Sequence, residues 1–175
     1  NEAEIQHFLQ LPATKAQPFQ ARPVQIKDAQ GTVSRAQFSL PVIPPKPEQA
    51  LQRAKSLNPD LHLFTALAKM VPNGQAGYLH NLPIAVKDMT AVAGFAVTAG
   101  SASGDFEPVT QDALSVARLR TKGAVVIGMA NQHEMAFGAS SNNPRYGRVI
   151  NPASPEHIPG GSSGGSAAIV AADVC

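Results

Sequence analysis

The apolar positions of this chain change rhythm about halfway along. Over residues 48–57 their spacing is helical, with Ala50, Leu51, Ala54 and Leu57 on one face. Leu82-Pro-Ile-Ala-Val-Lys87 is instead a short apolar run ending in a charge, which predicts a strand. From Thr110 to Gly123 the pattern predicts a helix over 111–122. Thr110 suits its N-cap, Asp112 its positive first turn, and Arg118, Arg120 and Lys122 its negative end, with Gly123 as the stop. Ala113, Val116, Ala117 and Arg120 would share one face, flanked by Leu114 and Leu119. Ala124-Val-Val-Ile-Gly-Met129 then runs without a polar residue. Strand, helix and fully apolar strand predict a parallel βαβ unit, buried on both sides. Residues 82–175 are therefore expected to form part of an α/β fold: a mixed, mostly parallel sheet covered by helices on both faces.

The first part of the chain has a different texture. Gly31 is the only glycine before Gly74 in a chain that has 14, whereas prolines crowd the front half. Pro41-Val-Ile-Pro44-Pro45-Lys-Pro47 cannot continue a helix or enter a sheet, so it predicts a linker or surface arm. Ahead of it, Arg22–Lys27 and Val33–Leu40 flank a turn at Asp28-Ala-Gln-Gly31, a hairpin pattern. The expected division is a segment 1–45 of unassigned role and a domain over 46–175.

Composition narrows the classes. The chain has 175 residues, one domain's worth, and 43% hydrophobic residues, enough for a packed core. Charged residues are only 15%, against roughly 25% in an average soluble chain, so part of the surface is expected to be covered by something else. A net charge of +2 without a basic run argues against a dedicated nucleic-acid binder. The single cysteine, Cys175, excludes an internal disulfide and a cysteine-rich metal cage. No apolar run approaches the roughly 18 residues that span a bilayer, so no membrane association is expected and the location is read as cytoplasmic. The chain begins at Asn1 without a methionine, which suggests processing or trimming at that end.

Pro159-Gly-Gly-Ser-Ser-Gly-Gly-Ser-Ala-Ala168 is the segment most suited to chemistry. Glycine and serine fill all of 160–166, and an apolar helix is expected from Ala167 onward. A flexible linker would not run straight into such a helix, so the loop is read as opening at a helix N-terminus, where oxyanions are favoured. It is not a phosphate-binding loop, because Ser166 stands where that motif needs lysine. Ser162 fits a nucleophile elbow, but no histidine follows it to complete a Ser-His-Asp triad. His133-Glu134 begins like a zinc helix, yet Phe137 occupies the position of the second histidine, and no metal or organic cofactor is expected. The five histidines are read as surface or structural. A lysine remains as the activating base. Lys87 ends an apolar strand and precedes Asp88, and a desolvated lysine has a lowered pKa that suits a general base.

Taken together, Leu82–Asp88, Ala124-Val-Val-Ile-Gly-Met-Ala-Asn131 and Pro159–Ala168 resemble the amidase signature family of hydrolases, in the family's order and with a similar Lys87–Ser162 interval. The likeness covers residues 48–175, and His133–Gly138 through Asn142-Asn-Pro144 is similar to bacterial aryl-acetamide hydrolases. The resemblance implies a Ser-cisSer-Lys triad, with Lys87 as base and Ser162 as the bridging serine after a cis peptide at Gly161. Ser163 would be a neighbouring helper, and Ala136, Phe137 and Gly138 would line the acyl site.

It further implies that the attacking serine lies about 24 residues beyond Ser162, outside this chain. The fold would then be incomplete here, and residues 1–175 alone are expected to be inactive. The expected function is hydrolysis of a carboxylic amide to acid and ammonia. The partners are a small-molecule amide, the remainder of the same protein as a second chain or further segment, and further copies of the chain. Two alternatives stay open: the amidase-like subunit of a glutamine-dependent amidotransferase, and a non-catalytic relative kept for binding.

Overall fold

The computed structural model describes residues 24–27, 33–36 and 44–175. The chain divides into two compact units, Asn1–Val42 and Ile43–Cys175. In the first, β1 (Val24–Lys27) and β2 (Val33–Ala36) pair antiparallel, with Val24 opposite Ala36 and Lys27 opposite Val33. This is the hairpin the alternation suggests; its turn, and residues 41–43 of the proline segment, lie outside the described residues.

The second unit opens with α1 (Pro47–Leu61). Pro47 occupies the first helical position, where its missing N–H costs nothing, and the Gln49 side chain reaches back to the Lys46 N–H. The helix runs past residue 57, where the periodicity ends it, and takes in Pro59. His62, in left-handed conformation at φ 51°, stops it by returning its N–H to the Asn58 carbonyl. The Asn58 side chain then receives the Phe64 N–H at 2.7 Å and so starts β3 (Phe64–Leu67), a strand the apolar pattern does not announce.

The central sheet has the order β3-β5-β4, with β4 at Pro83–Lys87 and β5 at Val125–Ala130. β4 and β5 are parallel and β3 and β5 antiparallel, so the sheet is mixed. Every residue of β5 is buried. The ladder with β4 skips Ile127 of β5 and the ladder with β3 skips Thr65 of β3, so both ladders are bulged. A Cβ at Gly128 would stand 2.6 Å from the Ala66 carbonyl oxygen, so only glycine lets β3 come this close.

Buried on both faces, β5 feeds two cores. Ile127 and Ala130 pack with Ala50 and Ala54 of α1 and with Ala168 and Ile169 of α3 (Gly164–Ala171). Val126 and Met129 pack with Val86, Val92 and Val116 of α2 (Leu114–Thr121). Helices therefore contribute to both cores.

α2 is shorter than its sequence pattern. Thr110 is not its N-cap; Ala113 is, because the Asp112 carboxylate is engaged elsewhere. It accepts the Ala93 N–H at 2.7 Å and pairs with Arg120 at 3.1 Å. Only Val116 of the expected stripe is buried, and Leu114 is 67% exposed. Gly123, at φ +100°, ends the turn as expected. β6 (Asn142–Asn143) and β7 (Gly147–Arg148) form a small hairpin beside the sheet's end.

Candidate active site

Lys87 is the last residue of β4, and the backbone beyond it turns at once. Its carbonyl accepts the N–H groups of Met89 and Thr90, while the Asp88 N–H continues the ladder to the Ala130 carbonyl. The Asp88 carboxylate is fully buried and accepts both the backbone N–H and the hydroxyl of Thr98. The strand end is thus pinned through the residue next to Lys87. Lys87 Nζ donates to Ser162 Oγ at 2.7 Å. Burial pushes the Lys87 ammonium below its ordinary pKa, since desolvation disfavours the charged form.

Ser162 sits on the Gly/Ser loop, half-buried, and the Gly161–Ser162 peptide bond is cis, the form the resemblance implies. Its carbonyl accepts the His133 N–H at 3.0 Å. α3 starts at Gly164 rather than at Ala167, because its first N–H groups are capped from other parts of the chain. The Gly165 N–H reaches the Asn131 carbonyl and the Gly164 N–H reaches the Ser141 hydroxyl. A Cβ at Gly165 would lie 2.1 Å from the Asn131 oxygen, which explains a glycine inside a helix.

The other expected residues gather around this loop to different degrees. Ser163 is the exposed N-cap residue of α3, and its side chain makes no capping hydrogen bond. Gly161 lies against Gly138 and Ala139: a Cβ there would come within 2.8 Å of the Gly138 carbonyl oxygen. Ala136 and Gly138 belong to a tight segment in which Met135 and Ala136 both have positive φ. The imidazole of His133 covers Gly138 where a Cβ would be. The Phe137 side chain, next to it, is 91% exposed.

Residues 131, 132, 141 and 143 have no apolar rhythm. Asn131 and Asn143 fall within the motifs of the resemblance, but none of the four takes a role from the sequence, yet all are buried. The Asn143 amide donates to the carbonyls of Gly100 and Gln132, and the Asn131 amide to those of His62 and Gly147. A cluster of short polar residues between apolar segments was the only signal, and it reads equally well as a turn. Among the described residues, no three His, Cys, Asp or Glu side chains are placed to hold a metal ion.

A lysine of lowered pKa in hydrogen-bond contact with a serine hydroxyl has the geometry to exchange a proton with it, and the chain's relatives are of one family. Residues 47–175 match the model of the Amidase family, and the chain belongs to that family. Its fold is that of amidase signature proteins. It is 44% identical over 119 residues, 67% of this chain, to a glutamyl-tRNA(Gln) amidotransferase subunit of Pseudomonas fluorescens. An indoleacetamide hydrolase of Pseudomonas savastanoi is 46% identical over 96 residues, 55% of this chain and 21% of that protein. The crystal structure of the corresponding glutamyl-tRNA(Gln) amidotransferase subunit from Thermotoga maritima superposes with a TM-score of 0.69 at 34% identity, covering 73% of this chain and 28% of that one. The chain spans 25% of the length of the Pseudomonas fluorescens relative. No helix among the described residues is long and apolar enough to cross a membrane.

Proposed function

We propose that this chain supplies the base and the bridging serine of an amide hydrolase acting in the cytoplasm. The observation that carries this reading is the 2.7 Å contact between Lys87 and Ser162, with the lysine pKa lowered by burial. Neutral Lys87 would take the proton of Ser162 while Ser162 takes that of the attacking serine. The attacking serine belongs, on this reading, to a segment of the protein other than residues 1–175. It adds to the amide carbonyl of a small molecule, and the proton held by Lys87 returns through Ser162 to the nitrogen, which leaves as ammonia. Water then releases the acid and restores the serine. Ser163 would orient the network from the helix start, and the backbone around Ala136, Phe137 and Gly138 would face the acyl group. No part of this sequence requires a cofactor.

The test is Lys87→Ala and Ser162→Ala in the full-length protein, with ammonia release from arylacetamides as readout. Each variant should fold and lose on the order of 10³-fold or more in kcat. Turnover near wild type in a folded Lys87→Ala variant would overturn the assignment.

A second reading is favoured by the names of the relatives, which include several glutamyl-tRNA(Gln) amidotransferase subunits. The same pair would then release ammonia from glutamine for an acceptor held by partner subunits. Comparing ammonia release from glutamine and from arylacetamides separates the two readings, and release from neither would leave the binding relative.

A further inference from the structure

The geometry points to Ser141 as a positioning residue that sets Ser162 against Lys87 by clamping both flanks of the Gly/Ser loop. This inference rests on the proton-transfer pair proposed above. Ser141 is fully buried and held at φ +53°, a left-handed conformation that a non-glycine residue adopts only when its surroundings enforce it. Its carbonyl accepts the Val149 N–H, which ties it to the end of the β6–β7 hairpin. A hydroxyl has one proton to donate and lone pairs to accept with, and Ser141 uses both on the loop. It donates to the Gly160 carbonyl at 2.8 Å and accepts the Gly164 N–H at 2.9 Å. The Ser162 carbonyl lies further off, at 3.5 Å. The two groups it holds bracket Gly161, Ser162 and Ser163.

The clamp also explains two neighbouring features. Helix N-termini leave N–H groups without partners, and the residue at the cap usually serves one of them with its own side chain. Here Ser163 occupies the cap but does not serve it. Ser141, distant in sequence, caps the helix in its place, so the Ser163 hydroxyl is not committed to the helix. Gly164, in turn, has to be glycine, since a Cβ there would stand 2.4 Å from the Ser141 oxygen.

Ser141→Gly and Ser141→Ala in the full-length protein test the clamp. Glycine suits the left-handed backbone and lacks only the hydroxyl, so the Gly variant separates loss of the clamp from failure to fold. In the folded Gly variant kcat should fall about 10- to 100-fold. The acid limb of the pH–rate profile should also move to higher pH, because a loosened loop rehydrates Lys87 and raises its pKa. A role confined to stability would lower the melting temperature and leave that limb in place. A crystal structure of the Gly variant should show Lys87 Nζ and Ser162 Oγ beyond hydrogen-bond reach. Wild-type kcat and an unmoved limb, or an unchanged 2.7 Å contact, would overturn the clamp. If Lys87→Ala also retains turnover, the proton-transfer pair itself is wrong, which is a separate result.

Discussion

The two segments that meet at the Lys87–Ser162 hydrogen bond are built by different means. The strand side is an apolar run with a parallel ladder to β5, and its one polar anchor, Asp88 with Thr98, is ten residues apart in sequence. The loop side has no ladder and little apolar surface. It is held by one hydrogen bond each with His133 and Asn131, by the two that Ser141 makes, and by glycines that let backbones touch. A lysine can be placed by ordinary sheet physics. Placing a serine opposite it, at the mouth of a helix, requires several distant residues to agree.

The largest effect expected from this difference is on the loop side. Gly165→Ala would drive a methyl group into the Asn131 carbonyl, where backbone has to move, and should destabilise the protein by about 3 kcal/mol. Chemical denaturation of the full-length variant measures it; a loss under about 1 kcal/mol would show that the contact yields easily.

On the strand side the corresponding test is Asp88→Ala. It removes a fully buried acceptor from the Thr98 N–H and hydroxyl, and a stability loss of about 2–3 kcal/mol is expected. Thr98→Val keeps the backbone hydrogen bond but removes a hydroxyl that both donates to Asp88 and accepts the Gly100 N–H at 3.1 Å. Each variant therefore breaks two hydrogen bonds, and the losses should be similar. A loss from Thr98→Val below half that of Asp88→Ala would mean that the Gly100 bond contributes little.

A gain is expected at Gln132, buried beside Asn131 and Asn143, whose Oε1 and Nε2 have no partner among the described residues. Gln132→Met keeps the shape and removes both unmet groups, so stability should rise by about 1 kcal/mol. An unchanged or lower denaturation midpoint would mean that the amide is satisfied in solution.

The smallest expected effect concerns pH. The folded-state pKa of Lys87 lies below its ordinary value of 10.5, so between the two values the unfolded chain binds more protons than the folded one. Stability contributed by this group therefore rises with pH across that window. Lys87→Met should be the more stable of the pair at neutral pH, with its advantage shrinking as pH approaches 10.5. An advantage independent of pH would remove desolvation as the cause.

The parallel pairing of β4 with β5, the burial of β5 and the glycine stop of α2 are legible in the chain before it folds. These follow from the order of apolar and polar residues, since burying apolar surface is the main driving force and it is written residue by residue. The family's motifs also marked which lysine and serine to consider. Tertiary structure decided the rest. It started α2 at Leu114 because Asp112 found partners in Ala93 and Arg120. It added β3 because Asn58 holds the Phe64 N–H. It recruited Ser141, Asn131 and His133 to the Gly/Ser loop, although none of them marks itself by periodicity. A hydrogen bond between residues far apart leaves no rhythm in either segment, because its requirement is for one polar atom in one place. That is why the strand bearing Lys87 can be read from the chain, while the clamp around Ser162 becomes visible only once the chain has folded.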